Sequence, residues 1–101
     1  MKLNVYVVKN TYLGCSGQPI FDDHEPDVFA KQVERSLLTG PEEKVFKHQN
    51  SIWYHIGSYD DESLKFSPVA EPVRLLDCGQ VLDDRKVRLS IIAKAQKMEK
   101  N

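Results

Sequence analysis

Little in this chain is equipped for covalent or metal cross-linking. Its two cysteines, Cys15 and Cys78, are too few and too far apart for a disulfide framework or a paired-cysteine metal knuckle, and both read as reduced thiols. No apolar run approaches the roughly 20 residues that a membrane-spanning helix needs. Met1 to Asn10 alternates apolar and polar residues where a signal peptide would carry a continuous apolar stretch, so no membrane partner is expected. The histidines His24, His48 and His55 fall at neither His-x-x-x-His nor Glu-x-x-His spacing, and Asp60-Asp61-Glu62 lacks the spacing and glycine of a calcium loop. Gly14-Cys15-Ser16-Gly17 is not followed by the Lys-Ser/Thr of a phosphate loop, and no serine or cysteine sits in a nucleophile elbow. The chain therefore reads as nonenzymatic, with no catalytic residue, metal or cofactor assigned.

What is present is ordinary globular material. Hydrophobic residues at 41% and charged residues at 29% describe a water-facing surface around one core. A chain of 101 residues buries about two-thirds of its unfolded surface without a metal or disulfide staple. Net charge is −1, but residues 85–100 hold six cations against the lone Glu99, a local balance of +5 that leaves −6 on the remainder. Such polarity marks contact with an anionic partner or complementary packing between subunits.

Residues 52–67 give the firmest element. Two β-branched and aromatic runs flank Asp60, Asp61, Glu62 and Ser63, which reads as a β-hairpin. An odd-length loop is favoured, because it groups Ile52, Tyr54 and Ile56 with Leu64 and Phe66 and leaves Trp53, His55 and Tyr59 on the opposite face. An even loop would instead lay Phe66 over the bare Gly57 backbone. Upstream, residues 2–9 form a central strand, and residues 10–24 a surface loop pinned by Ile20 and Phe21. Pro26 and Gly40-Pro41 frame a helix over 26–39 with Phe29, Val33 and Leu37 facing the core.

Pro68 and Pro72 belong to an edge or connector, and residues 73–76 make a short further strand. Asp83 or Asp84 then caps a C-terminal helix with Val87, Ile91, Ala95 and Met98 along one side, and Leu89 and Ile92 close by. The expected fold is a small single-domain α+β structure: a strand-helix-hairpin core over residues 1–81, and a basic amphipathic C-terminal helix over 82–101 packed on it or extending from it.

Two surfaces are candidates for function. Trp53 and Tyr59, on one side of a sheet, have the form of a platform for unpaired bases, with Arg85, Lys86, Arg88, Lys94 and Lys97 for the phosphates; the same rings equally suit packing under a helix or at a dimer interface. The second candidate is the Val87, Ile91, Met98 stripe, as an interface through which the chain self-associates into a homo-oligomer or docks on another protein.

Met1-Lys2-Leu3, Gln18-Pro19-Ile20-Phe21, the helix carrying Phe29, and above all Tyr54-His55-Ile56-Gly57-Ser58-Tyr59-Asp60-Asp61-Glu62 through Phe66 resemble the small nonstructural protein of gokushoviruses, single-stranded DNA phages of the Microviridae. The resemblance covers about residues 1–76, and the segment from Leu82 onward is an extension to it. It departs from the family where Ser63 stands in place of the usual glycine and Val8-Lys9-Asn10 in place of Tyr-Asp-Ser. What it implies is a replication-stage protein of the infected bacterial cytoplasm that binds DNA, single-stranded or duplex, or regulates the change from duplex replication to single-strand synthesis, with a phage or host replication protein as a further partner. It brings no active-site residues with it.

Overall fold

The computed structural model describes residues 1–99, with side chains described through Lys97; the Met98 side chain and Lys100 lie outside the described residues. Strand β1 (Lys2–Asn10) sits centrally in an antiparallel sheet. Its one edge pairs with the short β2 (Cys15–Ser16) and β3 (Ile20–Asp22), its other with β4 (Ser51–Asp60), which pairs in turn with β5 (Lys65–Asp77). Helices α1 (Pro26–Thr39) and α2 (Glu42–Val45) and a 3₁₀ turn at Phe46–His48 lie between β3 and β4, and α3 (Cys78–Glu99) closes the chain. The α+β class, the central first strand and the 26–39 helix are as the sequence indicates. The loop at 10–24 instead contributes two short strands, and Ile20 and Phe21 stay 42% and 52% exposed, so neither pins it to the core.

The hairpin parity is even, not odd. Asp60 pairs with Lys65 across the four-residue loop Asp61–Leu64, and Tyr59 pairs with Phe66. Leu64, not Ser63, takes the left-handed conformation with φ of 58°. The Phe66 ring covers Gly57, where a Cβ would meet its Cζ at 2.8 Å. The residues 73–76 are no separate strand: β5 runs unbroken from Lys65, bulging where residues 69–72 face Ile56 alone.

Ile56 decides the faces of the sheet. Val5 pairs with Gly57 and the next residue, Tyr6, with His55, leaving Ile56 as an extra residue on β4. Side chains alternate along a regular strand, so this bulge puts Trp53 and His55 on the Tyr6 face and Tyr59 on the opposite, Val5 face. The Tyr6 face is the one that α1 packs on. Tyr6 is fully buried and stacks on Phe29 of α1 at 3.9 Å between centroids, and Phe29 meets Trp53 edge-on at 5.3 Å. The Tyr6 hydroxyl donates to the His24 carbonyl at 2.8 Å, which satisfies its one buried polar group.

The core continues through Leu37, Val45, Cys78 and Leu82, with Trp53, Leu76 and Val81 packed against them. Helix α3 starts at Cys78, earlier than the Asp83 or Asp84 cap implied. Asp77 Oδ1 accepts from the backbone N–H groups of Gly79 and Gln80 at 3.0 and 3.3 Å, and so serves as the N-terminal cap. The 81/82 division thus falls inside α3. Burying Leu82 completely contributes about 1.5–3 kcal/mol and anchors the helix base.

Candidate functional site

Beyond its base, α3 leaves the body. Arg85 is its last partly buried residue, and every residue from Lys86 to Lys97 is exposed. The molecule is accordingly elongated, 66 × 28 × 22 Å. The projecting part carries Val87, Leu89, Ile91 and Ile92 at 58%, 40%, 61% and 53% exposure. At about 100° per residue, Val87, Ile91 and Ala95 share one side, Leu89 points about 160° from Val87, and Ile92 falls between them, about 60° from Ala95. Ile92 is thus an i,i+3 neighbour of Ala95, close to the stripe as the sequence indicates, whereas Leu89 is not and continues the side on which Cys78, Leu82 and Arg85 face the core. Beyond Arg85, among the described residues, neither the Val87 side nor the Leu89 side is covered.

The Val87–Ile91 side runs N-terminally into Gln80 and Asp84, which with Val81 of α3 and Glu34, Arg74 and Asp77 of the body line a groove of about 450 Å³ at the base of the projection. Arg74 is held by Asp77 at 2.8 Å. Glu34 and Asp84 are exposed and make no ion pair among the described residues, so the groove is net acidic.

The five candidate cations separate. Arg85 turns inward: its Nη1 donates to the carbonyls of Leu37 and Gly40 at 2.7 and 2.8 Å, closing the C-terminus of α1. Lys86 donates to Gln49 Oε1 at 3.1 Å and lies 5.0 Å from the Phe46 ring centroid. Lys86, Lys94 and Lys97 fall within one sector of about 80°, while Arg88 projects on another side. Trp53 and Tyr59 do not form one platform, because the Ile56 bulge separates them. Trp53 is a partly buried member of the core.

Tyr59 instead meets Phe21 edge-on at 5.4 Å, and with Phe66 these rings cluster on the sheet face that carries Val5, itself 2% exposed. The sequence offers Phe21 as a core anchor and Phe66 over Gly57 only with an even loop; the Phe66–Gly57 contact is present, and the isolated glycine inside a strand pattern is its signal. The neighbouring Asp22, Asp60, Asp61 and Glu62 are largely offset by Lys2, Lys65 and the Met1 ammonium, which lies 2.6 Å from Asp61 and so is already engaged with a carboxylate.

Burial, reinforced by Asp22, Glu25 and Asp27, pushes Tyr6 up to about 12. Burial, reinforced by Asp77, pushes the Cys78 thiol up to about 11, while Cys15 is exposed. Asp22 is held below its ordinary value chiefly by the backbone N–H of His24, at 2.7 Å, and then by the His24 ring, whose own pKa is raised by the same contact. Asp22, Asp23 and His24 bring three ligand-type atoms together on the surface. Among the described residues His55 meets no carboxylate; its Nε2 lies 3.2 Å from Asn4 Oδ1.

No family model, curated protein or solved structure matches this chain. Among the described residues no helix is long and apolar enough to cross a membrane. The strongest feature on the surface is therefore the projecting helix with its two uncovered apolar sides.

Proposed function

We propose that this chain is a nonenzymatic protein–protein interaction module that self-associates through α3. The observation that carries the reading is the exposure of Val87 and Ile91 at 58% and 61% on a helix that has left its own core. A helical segment of about 12 residues is marginal in water by itself, and most helical stability comes from packing an apolar face. Sedimentation velocity across a concentration series tests it: the wild-type chain forms a concentration-dependent oligomer and Ile91→Asp is monomeric. A wild-type monomer at every concentration refutes the reading.

A second reading is contact with DNA, favoured by Lys86, Lys94 and Lys97 lying in one exposed sector. Three phosphate contacts give a log–log salt slope of about −2 on single strands. Fluorescence anisotropy of labelled single strands, with Lys94→Gln/Lys97→Gln as the variant, measures that slope; salt-independent or absent binding removes the reading. The likeness of the Tyr54–Phe66 hairpin to the gokushovirus nonstructural protein supports a replication-stage role for either activity, with a phage or host replication protein as a further docking partner.

A further inference from the structure

We propose that two copies of this chain pair through α3 in antiparallel sense, the basic C-terminal turns of each helix lying in the acidic groove at the base of the other. The proposal rests on the self-association reading and specifies its geometry. The groove and the apolar stripe are one surface: Gln80, Asp84, Val87 and Ile91 succeed one another along the same side of α3. Any helix seated on Val87 and Ile91 therefore extends into the space beside Glu34 and Asp84.

Charge along α3 selects the direction. Acidic groups stand at its base, with Asp77, Asp83 and Asp84, and cations predominate beyond them, with Lys94 and Lys97 toward its end. A parallel pair places Lys94 beside Lys94 and Asp84 beside Asp84, juxtapositions that cost free energy in both copies. An antiparallel pair with Val87 beside Ile91 of the second copy sets Asp84 level with Lys94 of that copy, and Val81 level with Lys97. Glu34 and Asp84, the two groove carboxylates without an ion-pair partner among the described residues, then face ammonium groups. The arrangement is isologous, so each contact occurs twice and the pair closes on itself. It also places the two acidic bodies at opposite ends of the shared helices, well separated.

The test uses the wild-type chain, an equal mixture of ¹⁴N- and ¹⁵N-labelled protein treated with a carbodiimide that joins only touching amines and carboxylates. The expected product is a mixed-isotope cross-link between the Lys94 peptide and the peptide holding Asp84 or Glu34. In parallel, Lys94→Asp raises the dimer dissociation constant about tenfold, and combining it with Asp84→Lys brings it back to within about threefold of wild type. Leu89→Asp, on the other side of the helix, leaves the constant within about threefold of wild type. A dimer that lacks the mixed-isotope link and ignores Lys94→Asp overturns the antiparallel geometry while leaving self-association standing. A monomer throughout overturns both.

Discussion

Arg85 and Gly40 are joined across the base of α3 by a hydrogen bond of 2.8 Å, in which the guanidinium donates to a carbonyl just past the end of α1. The same nitrogen reaches Leu37, so one side chain satisfies two carbonyls that the helix cannot pair itself. Charged donors to carbonyls in such a setting are worth about 1.5–3 kcal/mol. Arg85→Ala is expected to lower unfolding free energy by about that amount in urea titrations, whereas Arg88→Ala, on an exposed site, changes it by less than about 0.5 kcal/mol. Equal effects of the two would contradict the clamp.

Leu64 holds a left-handed backbone at φ 58° with its side chain 73% exposed. A residue with a Cβ is strained there by about 1–2 kcal/mol, and glycine is not. Glycine's extra freedom in the unfolded chain offsets part of the gain, so Leu64→Gly raises stability by about 0.5–1 kcal/mol, read as a higher thermal midpoint. A lower midpoint would show that the leucine is held for its packing.

The two thiols differ in reach and in charge. Cys78 is 1% exposed and its pKa is pushed up to about 11, whereas Cys15 is exposed. Since the thiolate is the reactive form, a thiol-specific chromogenic reagent at neutral pH is expected to titrate one group quickly, and the second only with global unfolding. The Cys15→Ser variant should then show no fast phase. Rapid modification of Cys78 would mean that the base of α3 opens locally.

His24 and Asp22 set opposite dependences on pH. The His24 pKa is raised above 6.5 by Asp22, so its contribution to stability is complete below about pH 6.5 and is lost as pH rises through the folded value. Asp22 is lowered below 3.8, so its contribution is present above that value and is lost as pH falls through the folded one. Proton NMR of the imidazole should give a His24 midpoint above 6.5 that moves back down in Asp22→Asn. An unmoved midpoint would refute the pairing.

Local signals were legible and long-range ones were not. Helix α1 announces itself through Pro26 and Gly40-Pro41, because these act on the backbone of their own neighbourhood. The prolines at 68 and 72 correctly pointed to an edge strand. Parity in the hairpin was hidden because Leu64 adopts a conformation its side chain disfavours, and because the bulge at Ile56 is set by pairing with β1, some fifty residues earlier in the chain. The start of α3 was hidden too. Gly79 reads as a turn former, yet it is bare because its Cβ would collide with the Gln49 carbonyl. The Val87 and Ile91 stripe was readable from spacing, but its standing clear of the body was not, since periodicity identifies an apolar side without identifying what covers it.

The edges of the sheet carry one more consequence. On β5, Pro68 and Pro72 offer no N–H and residues 69–72 bulge away, while at the other edge β2 and β3 are two and three residues long. Neither margin offers a long, flat row of unpaired backbone groups to an incoming strand. Growth by strand addition, the route to fibrils, is therefore disfavoured at both borders of the sheet.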